Sequence, residues 1–122
     1  MANATSILPF TASTQGEAIK IAATSTPGTL LHTTLTSSST VDRIWLWAFN
    51  SDTADRVLTV EFGGATAPDQ NIVLTIPFRV GLVLVVPGLP LLGNGSVALT
   101  VKAFAATTNV ITCSGYVLRV VP

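Results

Sequence analysis

One stretch of the chain indicates its fold more strongly than any other, and it reads Val41-Asp42-Arg43-Ile44-Trp45-Leu46-Trp47-Ala48-Phe49. Alternate residues of a β-strand share a face. One face of this strand then carries Ile44, Leu46 and Ala48. The opposite face carries Arg43, Trp45, Trp47 and Phe49. Both faces are largely apolar, whereas a two-layer sandwich has a single apolar interior to fill.

Further β-like segments lie on both sides of this stretch. They cover residues 18–22, 29–36, 57–62, 72–76, 80–86, 97–101 and 110–120. Pro87-Gly88 is predicted to end the strand over 80–86, and Gly93-Asn94-Gly95 predicts a hairpin turn. A strand spacing of roughly 8–12 residues without a helical segment predicts an all-β fold, an antiparallel two-sheet sandwich. Periodicity leaves the jelly-roll and immunoglobulin-like topologies open.

The first residues differ in composition from the rest of the chain. Residues 1–16 are rich in Ser, Thr and Ala and show no sustained periodicity, which predicts an extended N-terminal arm before a β-sandwich domain over 17–122. Such an arm is suited to add a strand to a neighbour's sheet edge. No secretory signal is expected, because residues 1–9 have no basic region and no long apolar run. No membrane partner is expected either, because the apolar runs fall short of the roughly 20 residues of a spanning helix.

Charge and residue chemistry argue against an enzyme. Six basic and six acidic residues cancel, so no net field attracts nucleic acid, and no nucleic-acid partner is expected. One histidine, His32, and one cysteine, Cys113, are too few for a His/Cys metal site of about three or four ligands. The acidic residues, among them Asp52 and Asp55, do not form an Asp-x-Asp-x-Asp-Gly calcium loop and are interpreted as turn formers. We therefore expect no catalytic residue, no cofactor and no metal.

Two kinds of structure are possible covers for the second apolar face of the 41–49 strand. One is a loop or the arm of the same chain, and the other is a neighbouring subunit. Only 10% of residues are charged and the mean hydropathy is +0.61, both of which favour assembly. The predicted interface consists of Arg43, Trp45, Trp47 and Phe49, together with Val83 and Val85 on the second face of the 80–86 strand. A carbohydrate-binding sandwich is the alternative, in which Trp45, Trp47 and Tyr116 stack against sugar rings.

Several stretches resemble small structural proteins encoded by tailed bacteriophages. They are RIWLWAFN (43–50), LTVEFGGATAP (58–68), GLVLVVPG (81–88) and AFAATTNVIT (103–112), followed by GYV (115–117). The resemblance covers about residues 41–119, roughly two-thirds of the chain, and does not extend to the first forty residues. It carries over no catalytic residues.

This resemblance implies a component of the virion. A capsid cement or decoration protein best suits a chain of this size, and such proteins tend to form homotrimers. The implied partners are other copies of the chain and the major capsid protein or other virion proteins. The implied location is the capsid surface, after synthesis in the host cytoplasm. A tail or head–tail connector subunit is the nearest alternative, and a small fibre or adhesin domain follows.

Overall fold

The computed structural model describes residues 4–122, which form nine β-strands and no helix. Two antiparallel sheets pack against each other, so the predicted all-β sandwich is confirmed. The strands are β1 (Ala4–Leu8), β2 (Ile19–Lys20), β3 (Thr29–Thr33), β4 (Val41–Asn50), β5 (Arg56–Phe62), β6 (Asn71–Ile76), β7 (Val83–Leu91), β8 (Thr100–Ala105) and β9 (Ile111–Val121).

The strand order identifies the topology. The larger sheet has the order β1-β9-β4-β7, with β2 also paired to β9, and the smaller sheet has the order β3-β8-β5-β6. From β2 onward, only β5 and β6 are neighbours both in sequence and in a sheet, and every other connection crosses between the sheets. Eight strands wound in this way form a jelly roll. The strand order therefore identifies the sandwich as a jelly roll and not as immunoglobulin-like, a choice that periodicity left open.

The hydrophobic core lies between the two sheets. The larger sheet contributes the alternate residues of β4 that the sequence placed on one face, and the smaller sheet contributes Leu58, Val60 and Val101. All of these side chains are buried. Alternation along each strand thus places one apolar set in the interior and leaves the opposite set on the outside.

Strand β7 does not end at Pro87-Gly88, so that prediction is wrong. The strand continues to Leu91, and its register against β4 shifts between Ile44 and Trp45 and again between Leu46 and Trp47. Strand β7 forms the edge of the sheet, where a proline interrupts no ladder on its outer side. The proline and the bulges are therefore accommodated within one bent strand.

The predicted hairpin at Gly93-Asn94-Gly95 is also wrong. The turn itself exists, since Gly95 has a φ of 97° and the side-chain oxygen of Asn94 accepts hydrogen bonds from the N–H groups of Ser96 and Val97. The strands on either side, however, belong to different sheets. The turn is part of a loop that crosses the sandwich, and local turn chemistry does not reveal which strands it joins.

The N-terminal arm folds onto its own domain. Strand β1 pairs antiparallel with β9, from Ala4 opposite Val121 to Leu8 opposite Val117. Phe10 is 2% exposed and belongs to the core. The predicted boundary at residue 16 therefore separates two segments that pack against each other. Residues 1–3 of the predicted arm lie outside the described residues. Because β1 lies beside β9 in the sheet, it widens the sheet and does not cover its outer face.

The central pairing of the larger sheet depends on a glycine. Ten consecutive residues of β4 pair with β9 without a register shift, and Gly115 of β9 lies opposite Leu46. A Cβ atom at Gly115 would overlap the carbonyl oxygen of Trp45 and lie 3.1 Å from Cζ of Phe10. Glycine at this position therefore permits both the β4–β9 approach and the seating of Phe10.

We expect Gly115→Ala to lower the free energy of unfolding by at least about 4 kcal/mol, because a backbone oxygen has little freedom to move away from the new methyl group. The matched control is Gly81→Ala. Gly81 has a φ of 92° and open space around it, so backbone strain alone should cost about 1–2 kcal/mol. Urea denaturation of both variants measures the difference, and equal losses would contradict the steric role of Gly115.

Candidate interface on the larger sheet

The outer face of the larger sheet carries a continuous set of apolar side chains. Register places Tyr116 opposite Trp45 and Leu118 opposite Arg43 on β9, and it places Leu84 opposite Trp47 on β7. Strand β1 adds Ile7 opposite Leu118. We call this surface the aromatic face. Its members are Ile7, Arg43, Trp45, Trp47, Phe49, Leu84, Pro87, Tyr116 and Leu118.

Three aromatic rings form the centre of the aromatic face. The ring centroids of Trp45 and Trp47 are 6.2 Å apart with an interplanar angle of 19°, and Trp45 and Tyr116 have the same values. Trp47 and Tyr116 are 6.0 Å apart at 30°. All three side chains are half-buried. The rings are thus held nearly parallel by one another while part of each remains exposed to solvent.

Gly88 provides the space in which the Trp45 ring lies. A Cβ atom at Gly88 would be 2.6 Å from Cζ2 of that ring, and Gly88 has a φ of 75°. The Nε1 atom of Trp45 is buried and has no hydrogen-bond partner among the described residues, so packing holds the ring in place. Beside it, Nε of Arg43 donates a hydrogen bond of 3.2 Å to the Gly88 carbonyl oxygen. The bulged part of β7 therefore positions both side chains.

Charged side chains lie only at the ends of the aromatic face among the described residues. Arg43 is near one end, and Lys20 of β2 lies opposite Thr112, which pairs with Phe49 at the other end. With about 3.3 Å per residue from Arg43 to Phe49 and about 4.8 Å between neighbouring strands, the face measures roughly 20 Å by 15 Å. It is an extended apolar surface with a polar rim.

The structure brings together four of the six predicted interface residues. Arg43, Trp45, Trp47 and Phe49 share the aromatic face. Val85, by contrast, is 8% exposed within the core, and Val83 packs against the core. The bulge opposite Leu46 and Trp47 causes this difference, because it shifts the alternation of β7 by one residue.

Several exposed apolar residues were not assigned to the interface by the sequence pattern. Leu84 is 43% exposed on the aromatic face, and Val80 and Leu82 are exposed in the segment before β7. Ile7, which is 74% exposed, was missed because the pattern of residues 1–16 gave no strand. No signal within either segment marked these positions.

The single histidine lies in a buried polar cluster and not on the aromatic face. His32 and Asp42 are each 1% exposed, and Nε2 of His32 is 2.7 Å from Oδ2 of Asp42. Arg119 donates from Nε to Oδ1 at 2.7 Å and from Nη2 to Oδ2 at 2.9 Å. Burial favours a raised pKa for Asp42, but the hydrogen bonds from Arg119 and His32 outweigh it and hold the pKa below its ordinary value. The cluster links β3 of one sheet to β4 and β9 of the other.

Three other acidic side chains serve local structure. Glu61 is buried and accepts hydrogen bonds from the Thr26 hydroxyl and the Gly28 N–H. Asp52 accepts a hydrogen bond from Arg56, and Asp55 accepts one from the N–H of Phe78. Within residues 4–122 no group of three or more His, Cys, Asp or Glu side chains is placed to hold a metal ion. The surface of this part of the chain has no concave pocket.

Comparisons with protein families, with curated proteins and with solved structures find no match to this chain. The described residues contain no helix that is long and apolar enough to cross a membrane.

Asp42→Asn should reveal the pH dependence that the polar cluster contributes. The lowered pKa of Asp42 means that its carboxylate stabilises the folded state above the unfolded-state pKa of about 3.9, and that this contribution is lost as the pH falls through the folded-state value. We expect the variant to lose about 3 kcal/mol at pH 7, because Arg119 is left without its partner. Its stability should also change less than that of the wild type between pH 5 and pH 2. Urea titrations across this range give both values, and parallel pH profiles would contradict the assignment.

Cys113 should be inert toward thiol reagents while the protein is folded. Its side chain is buried in the core, and burial raises its pKa to about 12. The reactive thiolate is therefore scarce at pH 8. We expect Ellman's reagent to label the native protein at a small fraction of the rate seen in 6 M guanidinium chloride (about the concentration that unfolds most domains). Fast labelling of the native state would contradict this burial.

Proposed function

We propose that this protein is a non-enzymatic structural protein that assembles with copies of itself through the aromatic face, and that it reinforces an assembled phage capsid as a cement or decoration protein. The observation that carries the assembly proposal is the cluster of Trp45, Trp47 and Tyr116, which lies on the outside of a complete sandwich. The core is already filled from the opposite faces of the same strands. The fold therefore does not need these three aromatic side chains to fill its core.

The aromatic face is large enough to mark an interaction site. Its projected area is roughly 300 Å², which lies in the range of about 300–600 Å² for the largest and often functional apolar patches on monomers. Tyr and Trp at the centre of a surface, with charged residues at its rim, are typical of protein–protein contacts. Burying this face would remove the apolar side chains of Leu84 and Ile7 from water as well.

Charge supports self-association too. The formal net charge is zero, so copies do not repel one another. Lys20 and Arg43 lie at opposite ends of the aromatic face, where solvent can still reach them after two faces pack together. The interior of the contact then contains no unpaired charge.

The virion part of the proposal is supported by the resemblance of residues 41–119 to small structural proteins of tailed phages. The same resemblance implies a homotrimer that binds the major capsid protein. Binding that occurs only on the assembled shell would stabilise the shell by mass action, without any chemical step. A tail or connector subunit would use the same surface in another position in the particle.

Sugar binding is a second candidate because the three rings are nearly parallel, a geometry that suits stacking against pyranose rings. The aromatic face, however, offers few polar groups of the kind that orient a sugar. Beside the face, Ser114 and Thr112 of β9 supply hydroxyl groups, and Arg43 within it supplies a guanidinium. The members include no carboxylate and no side-chain amide. Self-association is therefore the function that the geometry favours.

Leu84→Asp tests the interface without disturbing the core. Leu84 is exposed on an edge strand, so we expect the free energy of unfolding to change by less than about 1 kcal/mol. A carboxylate buried in the contact should separate the copies. The matched control is Val73→Asp, at a position 61% exposed on the edge strand of the smaller sheet. Light scattering coupled to size exclusion should give an oligomer for the wild type and Val73→Asp, and a monomer for Leu84→Asp.

The alternatives give different results in the same set of experiments. A monomeric wild type that binds a glycan array, and loses that binding in Trp47→Ala, would replace assembly with sugar recognition. An oligomer that fails to bind source particles lacking this protein would remove the capsid role and leave self-assembly intact. Saturable binding to such particles, lost in Leu84→Asp, is the expected outcome.

A further inference from the structure

The N-terminal segment contacts the single histidine of the chain. The N–H of Thr11 donates a hydrogen bond of 3.2 Å to Nδ1 of His32, and Phe10 packs beside the imidazole with ring centroids 6.0 Å apart. The hydroxyl oxygen of Thr11 also accepts a hydrogen bond from the N–H of Thr33 at 2.8 Å. Residues 10–11 thus fasten the segment that begins with β1, and we call residues 4–12 the latch.

The hydrogen bonds around His32 define its proton state. Nδ1 accepts a hydrogen bond from the N–H of Thr11, so this nitrogen carries no proton of its own. Nε2 therefore bears the single ring proton and donates it to Asp42 at 2.7 Å. In the closed latch the imidazole is neutral.

A second proton on His32 is incompatible with this arrangement for two reasons. A proton on Nδ1 would face the N–H of Thr11, which replaces an attraction with a repulsion between two donors. The carboxylate of Asp42 is already neutralised by two hydrogen bonds from Arg119, so a protonated ring would leave the buried cluster with one uncompensated positive charge.

The surroundings of His32 contain no other group that would balance the added charge. Among residues 4–122, β4 contributes Asp42 and β9 contributes Arg119. Strand β8 places the apolar Val101 opposite His32, and the latch contributes the Phe10 ring and the Thr11 backbone. The charge balance around a protonated ring is thus set by Asp42 and Arg119.

We propose that the latch is an acid-released element, closed when His32 is neutral and opened when His32 takes up a proton. Opening withdraws Phe10 from the core and detaches β1 from β9. It uncovers the backbone edge of β9 at residues 117–121 and the site that Phe10 occupied. The open form binds one more proton than the closed form, so the closed latch loses stability as the pH falls.

Hydrogen exchange of the full-length wild type provides the test. We expect the opening constant of the β1 amides, corrected for the intrinsic exchange rate, to rise about tenfold for each pH unit below about 6.5, where an accessible histidine is half protonated. The amides of β5, which lies in the other sheet, should not show this dependence. The chain has one histidine, and the carboxyl groups titrate mainly below pH 5. A β1 opening constant independent of pH between 5.0 and 7.5 would overturn the proposal.

His32→Gln is the matched variant, because its amide has both a donor and an acceptor and takes up no proton in this range. The variant should keep β1 equally protected at pH 5.0 and pH 7.5, and the same acid response as the wild type would overturn the proposal. If the variant does not fold, nitrogen NMR of the wild-type imidazole decides. The proton should be on Nε2 at pH 7.5, and ring protonation should share its midpoint with β1 opening. A proton on Nδ1, or protonation with β1 still protected, would refute the latch.

Discussion

The pairing of β4 with β9 is the constraint on which the rest of the structure depends. Ten residues pair without a bulge at the centre of the larger sheet, and the period of two along both strands then fixes which side chains point inward. Asp42 and Arg119 become neighbours on the inner side, and Trp45 and Tyr116 become neighbours on the outer side. A shift of one residue would exchange these faces. Gly115 protects the register because no other residue fits against the β4 backbone.

The inner side of this pairing joins the two sheets through charge. A buried carboxylate is costly unless its oxygens are fully hydrogen-bonded. Asp42 meets this requirement with Arg119 from its own sheet and His32 from the opposite sheet. The two sheets therefore have a preferred alignment that apolar packing alone would not specify. The same contact reaches the N-terminal segment through Thr11, so one polar cluster connects the sandwich interior to its first strand.

The outer side of the pairing carries the aromatic face, through which we propose that copies of the chain assemble. The rings on β4 and β9 support one another, while β7 bends around Trp45 at Gly88. Such a surface is stable in a monomer but leaves apolar area in contact with water. A structural protein with few charges and a zero net charge can use this area for contact with other copies.

The sequence alone determined the all-β class and the placement of the strongest strand, because alternation and turn residues are local signals. It also grouped Arg43, Trp45, Trp47 and Phe49 correctly on one face. Tertiary structure decided the jelly-roll order, since strand partners distant in sequence are chosen by packing. It also placed the side chains of Val83 and Val85 toward the core, because a bulge in the β4–β7 pairing shifts the alternation of β7. The arm became a strand because the open edge of β9 satisfies its backbone hydrogen bonds, and no residue within the arm encodes that edge.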